Sequence, residues 1–157
     1  MERNFNQEVY NFIEACQNNM VRMILVGGNA VNYYGYKRHS ADIDFWIDNS
    51  PWNLEKMLNA LQELGYTLED FPQEVRAGNQ NISIKLSPDL EIELITRFNP
   101  GKTFEEAYQS SEEFVAGGQK ILKWNIISFD DLIASKLKSG RPKDFLDVQE
   151  LKRIRNK

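Results

Sequence analysis

A pair of aspartates inside an apolar strand pattern is the feature that most constrains this chain. In the segment DIDFWID (42–48), apolar residues occupy one face of a predicted strand, and Asp42, Asp44 and Trp46 occupy the other. Carboxylates in a strand that packs into a core are costly unless a positive charge lies against them. The sequence must therefore supply a cation for Asp42 and Asp44 or bind one.

Two glycines precede this strand. The segment VRMILV (21–26) is short, apolar and rich in β-branched residues, which predicts a buried strand ending at Gly27 and Gly28, before the short helix NAVNYYGY. Backbone N–H groups at a helix start can hold a phosphate without any side chain. The pattern lacks the later glycine of a dinucleotide fingerprint and the Lys-Ser/Thr of a P-loop. A phosphate-binding turn followed by metal-binding carboxylates would suit a nucleoside triphosphate.

The carboxylates have the spacing of a metal site. Asp42 and Asp44 are two residues apart on a strand, so their Cα atoms lie roughly 7 Å apart on one face. Such hard oxygen ligands suit Mg²⁺ or Mn²⁺. Glu91 or Glu93, on the polar face of LEIELIT, could supply a third carboxylate. The alternative is an exposed edge strand whose aspartates oppose aggregation.

Apolar periodicity and capping signals predict the other elements. We expect one mixed β-sheet flanked by helices, of the α+β (α/β-like) class, in a single domain over 1–157. The predicted elements are a helix in NFNQEVYNFIEACQNN, a helix from Pro51 capped by Ser50, a hairpin around Ser87–Asp89, a helix in TFEEAYQSSEEF, a strand in QKILKWNII, a helix between Ser128 and Gly140, and a last helix from Pro142.

Composition and charge narrow the function classes. The chain has a net charge of −4, which argues against indiscriminate binding to a nucleic-acid duplex. Residues 136–157 hold eight Lys/Arg against three Asp/Glu, which favours either a solvated helix or a cationic wall facing an anion. No apolar run has membrane-spanning length, and the single Cys16 fits a buried thiol in a reducing, cytoplasmic setting.

The segment VGGNAVNYYGYKRHSADIDFWI (26–47) resembles the signature of the DNA polymerase β-like nucleotidyltransferase superfamily. That signature is a strand, Gly-Gly or Gly-Ser, a short helix, Asp-x-Asp on the next strand and an acid on a later strand. The resemblance is closest to small bacterial proteins akin to AbiEii-type toxins. Their C-terminal pattern, an inward Lys and then Arg-x-Lys-Asp-x-x-Asp, is echoed by Lys136 and by RPKDFLD (141–147).

The resemblance implies roles for individual residues. Gly27 and Gly28 would contact the triphosphate, and Ser40 could hydrogen-bond a phosphate or fix the strand end. Lys136 and Lys143 would neutralise the triphosphate charge. Asp144 and Asp147 could orient those lysines or serve ordinary helix-start and surface roles, and Arg38 could also face phosphate.

The resemblance also implies the catalytic metal ligands. Asp42 and Asp44 would bind Mg²⁺ or Mn²⁺, with Glu93 as the third acid because two aliphatic residues follow it. Most members of the superfamily have Asp at that position and many have Ser in place of Gly28.

The implied activity is metal-dependent transfer of an NMP from an NTP to an acceptor hydroxyl. The similarity to toxins suggests tRNA or a protein as acceptor and an antitoxin as a possible partner. The departures at Glu93 and Gly28 keep open a catalytically impaired module that binds a nucleotide or a partner. A weaker alternative is a glycosyltransferase, whose Asp-x-Asp holds a nucleotide sugar.

Overall fold

A mixed sheet of six strands with seven helices makes up the part of the chain that the computed structural model describes, which is residues 5–38, 42–118 and 120–157. In chain order the elements are α1 (Gln7–Asn18), β1 (Met23–Val26), α2 (Gly27–Tyr33), β2 (Asp42–Ile47), α3 (Pro51–Glu63), α4 (Gln73–Arg76), β3 (Ile82–Ser87), β4 (Leu90–Ile95), α5 (Phe104–Ser110), β5 (Glu112–Ala116), β6 (Leu122–Ile126), α6 (Phe129–Ser139) and α7 (Pro142–Arg155).

The strand order is β3-β4-β2-β1-β6-β5. Strand β2 runs parallel to β4 and antiparallel to β1, and β1 runs parallel to β6. The hairpin β3–β4 and the pair β5–β6 are antiparallel. The predicted mixed sheet of the α+β class is therefore confirmed. The edge-strand alternative for Asp42 and Asp44 is wrong, because β2 has a paired neighbour on both sides.

The two faces of β2 pack against different layers. Phe45 contacts Phe12 of α1, with ring centroids 6.0 Å apart, and both rings are buried. On the opposite face, Trp46 packs on Phe98 and Phe104, each with its ring centroid 5.1 Å away. Alternation along β2 thus directs the aromatic and aliphatic residues into a core and leaves its first aspartates at one end of the other face.

Two elements differ from the sequence prediction. The predicted helix TFEEAYQSSEEF ends at Ser110, and Glu112–Ala116 form β5 instead. The Thr103 capping box with Glu106 explains where α5 begins, whereas β5 gains its stability from pairing with β6, a non-local interaction that periodicity does not reveal. The single turn α4, between the predicted helix and hairpin, was not predicted.

The capping predictions have mixed outcomes. Ser128 accepts a hydrogen bond from the Asp131 N–H at the start of α6, and Gly140 ends that helix with a φ of 65°, as predicted. Ser50 precedes α3 as predicted, but its side chain makes no capping hydrogen bond. Its Oγ is buried without a hydrogen-bond partner among the described residues.

Cys16 is a buried thiol whose pKa is raised far above its usual range, first by burial and then by the Glu63 charge. This agrees with the predicted structural role, because reactivity requires the thiolate. Within the described ranges, no helix combines the length and the apolar character needed to cross a bilayer. The single-domain assignment for 1–157 stays a prediction.

Candidate functional site

Three carboxylates predicted as metal ligands lie on one face of two neighbouring parallel strands. In the register of β2 and β4, Asp44 is the direct partner of Glu93 and Asp42 is the partner of Glu91. Directly paired residues of neighbouring strands project to the same side of a sheet. The register therefore brings Asp42, Asp44 and both candidate glutamates side by side on that face.

Gly27 lies directly against the Asp44 carboxylate. The register of β1 and β2 pairs Val26 with Asp44, so the turn that follows β1 passes beside this side chain. A Cβ added to Gly27 would collide with Asp44 Oδ2, and Gly27 has a φ of +69°, which disfavours any residue with a Cβ. The glycine turn and the second aspartate of the pair thus form one structural unit.

The surroundings of Asp44 raise its pKa to about 6. Burial is the largest cause, followed by the negative charges of Asp42 and Glu93, while the positive charges of Lys136 and Lys143 oppose the shift. Glu93, and not Glu91, is the glutamate whose charge acts on Asp44. Five of the residues predicted from sequence are therefore close enough to interact electrostatically.

Lys136 is held between two buried carboxylates. Its Nζ lies 3.1 Å from Asp147 Oδ2 and 3.5 Å from Asp144 Oδ1, and its side chain is only 9% exposed. Burial alone would raise the pKa of Asp144, but hydrogen bonds from Arg141 and the Lys136 charge hold it below its usual value. Asp144 and Asp147 thus contact Lys136, whereas Lys143, one residue before Asp144, is exposed.

Arg38 also contacts Asp147, one of the two carboxylates that hold Lys136. Its Nε and one terminal nitrogen each donate a 3.0 Å hydrogen bond to Asp147, one to each carboxylate oxygen. This bidentate pair ties the segment that follows α2 to helix α7. We define Arg38, Lys136, Arg141, Asp144 and Asp147 as the charge network of the site.

The donor chemistry of Asp42, Asp44 and Glu93 fits a hard divalent cation, because carboxylate oxygens are the ligands Mg²⁺ and Mn²⁺ prefer. The three side chains do not form a complete metal-binding geometry. Among the described residues, no three Asp, Glu, His or Cys side chains are placed to hold a metal ion, and Glu93 Oε2 accepts a 2.6 Å hydrogen bond from Ser83 Oγ. A bound ion would require these side chains to reorient.

Two predicted nucleotide-binding residues have less structural support. Ser40 lies outside the described residues. Gly28 is buried in the first turn of α2, a helix of seven residues. Its predicted contact with a triphosphate stays a prediction.

A comparison with protein families identifies the chain more directly than the geometry does. Residues 6–156 match a family described as a nucleotidyltransferase of unknown function, DUF6036. The chain belongs to this nucleotidyltransferase family. No curated protein matches the sequence. The match covers both the strand pair with the carboxylates and the helices with the charge network.

Asn29 lies beside the candidate site and was not singled out from the sequence. It is buried in α2, and its Nδ2 donates a 2.9 Å hydrogen bond to the backbone carbonyl of Asp42. The bond fixes the start of β2 against the helix that follows the glycines. A polar residue between Gly28 and the apolar Ala30-Val31 was the available signal, since buried amides are retained where they are hydrogen-bonded.

Proposed function

We propose that this nucleotidyltransferase moves an NMP from an NTP to an acceptor hydroxyl, with Mg²⁺ or Mn²⁺ held by Asp42, Asp44 and Glu93. The observation that carries the proposal is the position of Asp44. Its carboxylate lies against the Gly27 turn, beside two further acids and within electrostatic reach of two lysines. Three acids this close together are costly to the fold unless a positive charge neutralises them, which is the role proposed here for the metal ion.

The reaction is an in-line displacement at the α-phosphorus. The acceptor hydroxyl loses its proton to water as its oxygen forms the new P–O bond. The bond between the α-phosphorus and the oxygen that bridges to the β-phosphate breaks, and pyrophosphate leaves with the electron pair. A bound divalent ion would neutralise phosphate charge and polarise the α-phosphate. Asp42, Asp44 and Glu93 supply the negative ligands, and Asn29 keeps Asp42 in place through the backbone of β2.

The charge network supplies the positive side of the site. Three cations, Arg38, Lys136 and Arg141, share two carboxylates, Asp144 and Asp147, which leaves a formal charge of +1 before Lys143 is added. The carboxylates of Asp144 and Asp147 fix the position of the Lys136 ammonium group. In this proposal Lys136 and Lys143 bind the leaving pyrophosphate portion, and Asp147 positions Lys136 and Arg38.

The acceptor and the biological role are further parts of the proposal. The similarity to toxins supports a hydroxyl of tRNA or protein as the acceptor, with an antitoxin as partner and action in the cytoplasm. Arg38 and the charge network border the acidic strands, so a polyanion could approach from this side.

Binding and transfer test the proposal together. Calorimetry with each of the four NTPs and Mg²⁺ is expected to show binding that EDTA removes, and α-labelled NTP is expected to label RNA or protein in a cell extract. Asp44→Asn should abolish labelling, whereas Asp89→Asn, on the exposed hairpin turn, should retain it. Failure of every NTP to bind would contradict the proposal.

A second candidate is a module on the same fold that binds a nucleotide or a partner without transfer. It is favoured by the Glu93–Ser83 hydrogen bond and by the absence of a ready three-ligand group within the described residues. Nucleotide binding that persists in EDTA, without labelling of any acceptor, would select this candidate over the enzyme.

A further inference from the structure

A small polar cavity of about 230 Å³ lies between the loop after β4 and the end of α6. It is smaller than the roughly 300–1,000 Å³ of pockets that hold whole small molecules, so it suits a single group of a larger ligand. Its lining residues are Arg97, Phe98, Asn99, Ser135, Lys138 and Ser139.

The lining of this cavity carries two positive charges and no acidic side chain. Among the described residues, the Arg97 side chain donates its one hydrogen bond to a neutral acceptor, Asn79 Oδ1 at 2.7 Å, and Lys138 has no ion-pair partner. Two cations thus line one small cavity with no acidic side chain among its lining residues to neutralise them. Such an arrangement attracts an anion.

The loop after β4, which forms one wall of the cavity, lies close to the Lys138 side chain. Gly101 has a φ of +87°, and a Cβ there would lie 3.2 Å from Lys138 Cε. The Asn99 side chain accepts a 2.9 Å hydrogen bond from the Gly101 N–H, which fixes this turn. The lysine stem is therefore held against the loop, with its charge at the cavity.

A simpler role for Lys138 is to complement the negative end of the α6 dipole, since it lies in the last turn. That role does not explain the positive charge of Arg97, which lies in the loop after β4. The helix end carries about half a negative charge, against two full positive charges from the side chains. The net field of the cavity therefore remains positive.

The cavity and the candidate active site share two elements. Strand β4 carries Glu93 and leads into Arg97, and helix α6 carries Lys136 between Ser135 and Lys138. Arg97 follows β4 in a loop whose Phe98 packs on Trp46, on the face of β2 that carries Asp42 and Asp44. The cavity therefore lies beyond this buried aromatic cluster from the carboxylates, and a molecule that reaches both would pass over the cluster.

We infer that this cavity binds a phosphate group of the acceptor, at a distance from the triphosphate that reacts. The inference rests on the proposed function and adds to it the chemical class of the acceptor, a phosphate-bearing molecule. The phosphate can belong to a nucleic-acid strand or to a small phosphorylated compound, because both offer the same group to Arg97 and Lys138.

The first test uses inorganic phosphate and the full-length protein, followed by backbone amide NMR. Saturable shifts are expected at Asn99, Gly101 and Ser139. Arg97→Gln and Lys138→Gln should each weaken binding about tenfold, the usual effect of losing one charged hydrogen bond. Lys152→Gln, an exposed charge change on α7, should leave it unchanged. Absence of shifts at these amides, or equal binding in all variants, would overturn the inference.

The second test identifies the source of the phosphate. AMP and a short single-stranded oligoribonucleotide are titrated separately, and shifts are read at the same amides. Tighter binding of the oligonucleotide, weakened by Arg97→Gln, indicates a nucleic-acid acceptor; binding of AMP alone indicates a small phosphorylated acceptor. Once a labelled acceptor is found, its KM is measured for the unchanged protein and for Arg97→Gln and Lys138→Gln. An unchanged KM in both variants overturns the inference.

The two proposals fail separately. Asp44→Asn should retain the phosphate shifts at the cavity, because it changes only the carboxylate site. NTP transfer without phosphate shifts at the cavity removes this inference and leaves the enzymatic proposal. Phosphate shifts at the cavity in a protein that binds no NTP contradict the enzymatic proposal and, with it, the assignment of the phosphate to an acceptor.

Discussion

At the scale of single residues, Asp44 is the side chain whose proposed function opposes the stability of the fold. Its pKa in the folded protein is about 6, above the usual 3.8, so the folded state binds more protons than the unfolded state between these values. Stability without metal therefore falls as pH rises through this window and stays lower above it. The ionised carboxylate therefore destabilises the fold, and a bound cation would offset this cost.

Asp44→Asn should therefore stabilise the metal-free protein at neutral pH while it abolishes transfer. After allowance for solvent screening of a partly exposed group, we expect a gain of about 1–2 kcal/mol in the free energy of unfolding. Urea denaturation in EDTA, at neutral pH and near pH 4, measures this gain. The gain should vanish near pH 4, because Asp44 is then protonated in the folded protein. Asp89→Asn should show no such gain, and a destabilised Asp44→Asn protein would contradict the charge assignment.

Gly27 is a second position where one residue decides the local structure. Gly27→Ala adds a Cβ against Asp44 Oδ2 at a positive φ, so we expect a loss of about 2 kcal/mol or more in the free energy of unfolding. Thermal or urea denaturation checks it. Gly117→Ala is the matched control, since no atom lies within 4 Å of its added Cβ. Equal stability of the two variants would show that Asp44 does not lie against this turn.

At the scale of elements, Lys136 joins α6 to α7 through buried charges. Lys136→Gln leaves Asp144 and Asp147 with one cation fewer in a buried setting, where breaking an ion pair costs about 3–5 kcal/mol. We expect a loss in this range by urea denaturation. Lys152→Gln, an exposed change on α7, should alter stability by less than about 0.5 kcal/mol. A small effect at Lys136 would mean that water solvates the network.

Helix starts provide an independent check on local structure. Thr103 makes a full capping box with Glu106, so Thr103→Ala should cost about 1 kcal/mol. Ser50 makes no capping bond, and its buried Oγ lacks a partner among the described residues, so Ser50→Ala should cost nothing or stabilise the protein. Urea denaturation measures the free energy of unfolding of both variants. A larger loss for Ser50→Ala than for Thr103→Ala would contradict the hydrogen bonding assigned to the two helix starts.

Sequence patterns predicted the elements whose signals are local. The alternation in DIDFWID, the cap at Ser128 and the turn at Gly140 each act within a few residues, and each has its predicted counterpart. Strand β5 could not be found this way, because EEFVA is stabilised by its partner β6. For the same reason, the contact of Arg38 with Asp147, 109 residues further along, had no local signal.

At the scale of the whole molecule, the order of the strands assembles the site. Strand β2 lies between β4 and β1, so one strand end brings together a glutamate from a later hairpin and a glycine turn from an earlier strand. The sequence predicted the participants from a motif, and the register adds that Glu93 lies directly beside Asp44 and Glu91 beside Asp42. The cavity at Arg97 and Lys138 also required three-dimensional structure, since its walls come from segments some 40 residues apart.

The most direct test of the central claim is a crystal structure of the protein with Mn²⁺ and a non-hydrolysable NTP, with anomalous scattering recorded to locate the metal. The account predicts a Mn²⁺ peak bound by Asp42 and Asp44, with Glu93 turned from Ser83 toward the ion and the triphosphate extending toward Lys136 and Lys143. An empty carboxylate cluster in the presence of bound nucleotide, or a nucleotide located elsewhere on the protein, would contradict it.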